Sequence, residues 1–420
     1  MKGGTEMGQR LVVTVVGGML IAALAAGGAV GSAAPAPVTL GVLTPLSPPG
    51  DPAAGQLIER GAELGIQYIN TVMGGLFGGK GGCALPATQV RLAVEDDSGL
   101  PEKAIAGFRR LVSEDHAVAV WGQFHSSAML AAAPLADQLG VPFISTQASA
   151  ADITAKHFKA VFRTHPIDPD RAAAWLGWIQ AQGWHKVAML AENTDYGIGL
   201  AEATKSLIAA KKMNVTLDAV IFDRTSSDLT PQLLKFKAEK PDVLLNVGVG
   251  TPAYLIIKQA HDIGLFPQVP MLGSYDFPVR PEYWKNLGAA GNYLAFISYY
   301  HPRMALSPLG KWAAIEYAKR YKDVAIYSNL NSFGDAVILA EAMNQACSSD
   351  PTKIIAALER GRFDTWIGSG ATFPRGAGVY WHQWSPPMVI LQFTQTDETY
   401  DQAPILYPTA MKTGTYTGPH

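Results

Sequence analysis

The residue types that usually carry chemistry are present in this chain, but their spacing matches no reaction. No Gly-x-Ser-x-Gly elbow presents a nucleophile. Gly79-Lys80-Gly81 lacks the hydroxyl that follows the lysine of a phosphate-cradling loop, and no Gly-x-Gly-x-x-Gly follows a strand. Glu95-Asp96-Asp97 gathers three carboxylates, but a glycosidase pair must face each other across a substrate, and neighbours at a strand end cap the next helix or meet water. His382, between Trp381 and Trp384, reads as a packed or surface group. Cys83 and Cys347 have no partner at zinc-ligand spacing, so the sequence predicts no metal site; one disulfide and two unpaired thiols both fit it. The expectation is a protein with no catalytic residue and no cofactor.

The elements that would position a site are clearer. The chain has 420 residues, which is long for one core and suits two domains. Lys2 and Arg10 precede an apolar run from Leu11 to Val30, and small residues follow at Gly31–Ala34. That pattern predicts a cleaved signal peptide over residues 1–34 and an exported protein. A formal net charge of −2 gives no electrostatic case for nucleic acid. After Pro35, strand-like runs alternate with helix-like ones. Strands are predicted at Val38–Leu43, Gln89–Glu95, Ala117–Trp121 and Val141–Ser145, and a second series at His185–Ala191, Asn214–Phe222, Asp242–Val247 and Val269–Gly273. Late helices are predicted at Leu309–Tyr321, Ser332–Ala346 and Thr352–Arg360, with Asn331 or Ser332 as cap of the second. The alternation implies βαβ units and an α/β architecture of two doubly wound parallel-sheet lobes. Ligands of such sheets bind beyond the carboxyl ends of the strands, which directs attention to the loops at 44–55, 122–127, 146–151, 192–197, 248–252 and 274–279.

Those loops carry recognisable segments. Thr39-Leu-Gly-Val-Leu-Thr-Pro-Leu-Ser47, Arg60-Gly-Ala-Glu-Leu64, Val94-Glu-Asp-Asp-Ser-Gly99, Gly140-Val-Pro-Phe-Ile-Ser145, Phe162-Arg-Thr164 and Asp195-Tyr-Gly-Ile-Gly-Leu-Ala201 resemble, in order, segments of periplasmic solute-binding proteins of the branched-chain-amino-acid type. The resemblance covers the first half of the mature chain by motif and the second half by general pattern. It implies a Venus-flytrap fold with a three-crossing hinge, lobe 1 formed by residues 37–163 plus 296–376 and lobe 2 by 164–295 plus 377–420. It also implies a periplasmic monomer that captures a small-molecule solute and delivers it to the membrane permease of an ABC transporter.

The family's carboxylate clamp falls on Ser126, which opens a predicted helix and can offer an anion the helix N-terminus, and on Gln147 and Ser149 in the next loop. Tyr196 matches an aromatic that closes from lobe 2, and His125 stands beside Ser126 as a further hydrogen-bonding group. Two departures follow. The family's other lobe-2 aromatic falls near Val249, so that wall is smaller. The acidic partner of a ligand's ammonium falls at Ser274-Tyr275-Asp276. Asp276 in the cleft fits a zwitterionic amino acid, whereas Tyr275 in the cleft fits an aromatic acid, a dicarboxylate or an amide. A solute sensor of the same fold and an α/β hydrolase-like enzyme are the alternative functions.

Overall fold

The computed structural model describes residues 35–418, so the predicted signal peptide at 1–34 lies outside the described residues. Short runs rich in Val, Leu and Ile build a first sheet from β1 (Val38–Thr44), β2 (Val90–Asp96), β3 (Ala117–Gly122), β4 (Phe143–Ser145) and β5 (Val161–Arg163). The sheet is parallel throughout, in the order β2-β1-β3-β4-β5. Its connections are α1 (Pro52–Thr71), α2 (Pro101–Ser113), α3 (Ser126–Leu139) and α4 (Asp152–Ala155). Asp51 caps α1 by accepting from the Ala54 N–H at 3.3 Å, and Pro52 pre-sets the backbone of the first turn. On α2 the stripe Ala104, Phe108 and Leu111 is buried, at the spacing a helix needs to present one apolar face.

The chain then crosses to a second lobe through α5 (Asp168–Gln182). There β6 (Lys186–Glu192), β7 (Thr216–Phe222), β8 (Val243–Val247), β9 (Met271–Gly273) and β10 (Ala295–Ser298) alternate with α6 (Asp195–Ala210), α7 (Thr230–Glu239), α8 (Thr251–Asp262) and α9 (Tyr283–Leu287). It returns to the first lobe for α10 (Pro308–Tyr321), α11 (Tyr327–Ala346), α12 (Pro351–Arg360) and the hairpin of β11 (Phe363–Thr365) and β12 (Gly368–Ala371), and crosses back for β13 (Val389–Gln392) and β14 (Ile405–Tyr407). The second sheet runs β14-β13-β10-β9-β8-β6-β7.

Four expectations are corrected here. The second sheet is mixed, because β13 pairs antiparallel with β10 and with β14. The predicted lobe boundary at 295/296, and the hinge near Asn292, fall at or before a strand paired to β9 and β13, so the chain leaves the second lobe after Ser298. The boundary at 376/377 is also early: Gln383 pairs with Arg163 beside β5, and the carbonyl of Val379 accepts from Thr154 Oγ1, so the last crossing lies between Trp384 and Val389. Finally, α11 begins at Tyr327, and Asn331 and Ser332 lie buried inside it rather than at its cap. Both are used for packing. Ser332 Oγ donates to the Ile58 carbonyl and accepts from Trp121 Nε1, while Asn331 Nδ2 donates to the Thr146 carbonyl.

Cys83 and Cys347 form a disulfide with a Cα–Cα distance of 5.2 Å. It ties the glycine-rich segment after α1 to the end of α11, two helices that also pack along each other.

Candidate functional site

The lobes meet through the loops that follow their strands. Tyr275, after β9, donates its hydroxyl to the Gln147 carbonyl, after β4, at 2.5 Å. The Asp195 N–H at the start of α6 donates to Ser127 Oγ at 3.3 Å, and Arg224, after β7, donates to the Pro49 carbonyl at 3.1 Å. The lobes are therefore closed on each other. Between them lies a cavity of about 10 Å³, lined by Phe124, His125, Ser126, Ser127, Glu192, Thr194, Tyr196, Arg224, Val249 and Tyr275. That volume admits about one water-sized group. A wider recess of about 330 Å³ opens along the same seam, between Asp51–Ala53 and a second-lobe wall that includes Tyr254, Lys258 and Glu282.

The first-lobe side is built as follows. β3 ends at Gly122, whose φ of 116° lies in the glycine-favoured region and whose missing Cβ would sit 2.4 Å from the Leu43 carbonyl oxygen. The turn brings Ser126 to the first turn of α3, buried, with its Oγ accepting from the N–H groups of Ser149 and Ala150 at 3.3 and 3.2 Å. One hydroxyl thus joins both predicted clamp loops. Gln147 contributes its backbone carbonyl to Tyr275, while its side-chain amide is buried without a partner among the described residues. Ser149 Oγ accepts from Arg171 Nη1 at 3.1 Å. His125 is buried in the cavity wall with Nε2 unpartnered among the described residues. Burial, then the positive charge of Arg224, pushes its pKa down to about 3, so the imidazole is neutral at pH 7.

The clamp loop is fixed from behind by Asp335 of α11, whose two carboxylate oxygens accept from Thr146 Oγ1 and Thr164 Oγ1 at 2.5 and 2.7 Å. Burial raises the Asp335 pKa from 3.8 to about 7, against the opposing effect of the two hydroxyl bonds. The folded protein therefore holds a proton there that the unfolded chain releases near pH 4, and the stability from this group is lost as pH rises from about 4 to about 7. Asp335→Asn removes the titration. Between pH 4 and pH 8 its stability is expected to improve relative to the native protein by up to about 4 kcal/mol. Denaturation curves across that range check this; parallel pH profiles for the two proteins would contradict it.

On the second-lobe side, Tyr275 and Asp276 point apart. Tyr275 enters the cavity wall, with its ring edge-on to Phe124 at 4.9 Å and to Tyr196 at 5.2 Å. Asp276 points elsewhere. It is fully buried, paired with Arg280 at 2.5 Å, and accepts from Ser328 Oγ at 2.6 Å. Asp276 thus stands outside the cavity lining, with its charge neutralised and its oxygens occupied. Arg280 also pairs with Asp51 of the first lobe at 2.9 Å, so one buried guanidinium links the two lobes. Tyr196 lines the cavity and donates to Ser274 Oγ at 3.0 Å; Val249 lines it as a small apolar wall.

Several residues of the site escaped sequence reasoning. Arg171, on α5, and Arg280 are both buried, yet an arginine is far more often exposed and nothing in its local pattern separates the two cases. Glu192 ends β6 at a position singled out only as a loop boundary. Its oxygens accept from Thr194 Oγ1 at 2.8 Å and the Val249 N–H at 3.1 Å, and burial raises its pKa although Arg224 opposes the shift.

A family model described as periplasmic binding protein matches residues 37–398. The chain belongs to that family. A Leu/Ile/Val-binding protein homolog of Brucella melitensis biotype 1 is 27% identical over 344 residues, covering 80% of this chain and 88% of that protein. Among solved structures, the branched-chain amino acid transporter substrate-binding protein LivJ of Streptococcus pneumoniae, in complex with isoleucine, superposes with a TM-score of 0.73 at 21% identity, covering 89% of this chain and 100% of that one. A solute-binding protein of an ABC transporter from R. palustris, in complex with benzoate, gives the same TM-score at 20% identity, covering 89% and 99%. These likenesses bear out the expected fold. Proteins of this family bind solutes rather than transform them. Among the described residues no helix of this periplasmic binding protein is long and apolar enough to cross a membrane.

Proposed function

We propose that this protein captures a small organic acid lacking an ammonium group, of which an aromatic carboxylate is the best fit, and hands it to the membrane permease of an ABC importer. One observation carries the reading: Tyr275 lines the cavity, whereas Asp276 is consumed by Arg280 and Ser328. An α-ammonium entering here would lose its water without gaining that carboxylate, a costly exchange for a buried charge. Phe124, Tyr196 and Tyr275 supply the broad apolar faces that suit an aromatic ring, and the Ser126 hydroxyl, which accepts from the N–H groups of Ser149 and Ala150, keeps its own O–H to donate to a carboxylate. The solute docks on the first lobe, and the second lobe closes over it about the three crossings.

A second reading is favoured by Glu192, a carboxylate in the cavity wall that could receive an ammonium. A thermal-shift panel separates the two. Benzoate, 4-hydroxybenzoate and phenylacetate are expected to raise the melting temperature while leucine, isoleucine and valine leave it unchanged; the reverse pattern would replace the first reading by the second.

A further inference from the structure

Behind the two tyrosines that line the cavity, the seam between the lobes holds a buried charge. Arg171 is fully buried at the seam between the lobes. It makes no ion pair with a carboxylate within 4.0 Å among the described residues, unlike the buried Arg280, which has two at hydrogen-bonding distance. Its hydrogen bonds go to two hydroxyls. Nη1 donates to Ser149 Oγ of the first lobe at 3.1 Å, and Nη2 donates to Ser274 Oγ of the second lobe at 3.0 Å. Nε has no partner among the described residues. The guanidinium also lies 4.6 Å from the ring centroid of Tyr275 and 5.4 Å from that of Tyr196, the two tyrosines that line the cavity. A buried cation whose hydrogen bonds all go to neutral hydroxyls is expensive, and π faces and the carboxylate of Asp168 beyond hydrogen-bonding distance offset only part of that cost.

We infer that Arg171 is the specificity-determining counter-ion of this cleft: it reads the solute's carboxylate from the second lobe, while Ser126 and Ser149 hold that carboxylate from the first. This rests on the reading given under Proposed function. Separating the lobes takes Ser149 away from Nη1 and leaves that edge of the guanidinium facing the open cleft. A carboxylate docked beside Ser149 replaces the hydroxyl as acceptor when the lobes close, and a guanidinium edge binds a carboxylate through paired N–H donors. Closure then gains an ion pair that a neutral solute cannot supply, so one residue couples the solute's charge to the closed state. Asp168 stands behind, at the start of the same helix and buried; burial raises its pKa to about 6 and the positive charge of Arg171 opposes the rise.

Titration calorimetry with benzoate and benzamide, on the native protein and on Arg171→Gln and Arg171→Lys, tests the inference. The native protein is expected to bind benzoate and to reject benzamide by at least tenfold. Arg171→Gln should lose at least tenfold in benzoate affinity and most of the discrimination, and Arg171→Lys, which keeps the charge, should retain most of both. A folded Arg171→Gln protein that binds benzoate as the native one does would overturn the role of Arg171 alone. Failure of the native protein to bind benzoate would overturn the aromatic-acid reading and this inference with it. If the glutamine variant does not fold, the native protein decides: rejection of benzamide by at least tenfold upholds a counter-ion in the cleft, and equal binding of benzoate and benzamide overturns it.

Discussion

Replacing Arg280 by Met is expected to cost about 3–5 kcal/mol of stability, because it strands two buried carboxylates without a counter-charge. Asp51 and Asp276 both pair with this one guanidinium, from opposite lobes, and neither has another cation within 4.0 Å among the described residues. Burial works against the charge of Arg280, but Asp276, then Asp51, hold its pKa well above the usual value. Asp51→Asn gives the informative contrast. It keeps the Arg280–Asp276 pair within the second lobe and removes only the charge that crosses the seam. Its stability loss should be smaller, and its main effect should be on shape, with a larger radius of gyration in solution than the native protein. Denaturant unfolding and small-angle scattering read the two effects. An Arg280→Met protein as stable as the native one, or an Asp51→Asn protein of unchanged dimensions, would remove the ion pair from any part in closure.

Tyr275→Ala is expected to weaken binding of an aromatic carboxylate by about 2 kcal/mol, or some thirtyfold, as truncation of a central aromatic anchor does. Tyr275 is the hub of the cleft. Its ring meets Phe124, Tyr196 and the Arg171 guanidinium, and its hydroxyl reaches the clamp loop at the Gln147 carbonyl. Tyr275→Phe separates these parts. It keeps the ring and loses one hydrogen bond, so a penalty nearer 1 kcal/mol is expected. Calorimetry with benzoate measures both; equal affinities for the alanine variant and the native protein would show that the solute does not touch this wall.

The architecture was legible because alternation of apolar strands with helices leaves few topologies open. The crossings were less so, since β10 is four residues long and its partners, β9 and β13, lie on either side of a long return through the first lobe. The start of α11 was obscured because Asn331 and Ser332 are good capping residues, yet here bond Thr146, Trp121 and Ile58 from inside a helix that is buried almost all round. Ser126, Tyr196 and Tyr275, to which the family resemblance pointed, line the cavity from loops that follow strands. The direction of Asp276 was not legible, because adjacent residues point apart and only the position of Arg280 decides which of them is neutralised. Arg171 and Arg280 were missed for a general reason: their roles come from pairing across the seam, which local sequence does not encode.

The central claim is that the cleft selects an acid without an ammonium group. Mass spectrometry of the small molecules released when the purified, never-denatured protein is unfolded tests it most directly. The account predicts about one carboxylate lacking a primary amine per chain, with an aromatic ring as its commonest feature. Recovery of leucine, isoleucine or valine in that amount would contradict it and return the cleft to a branched-chain amino acid.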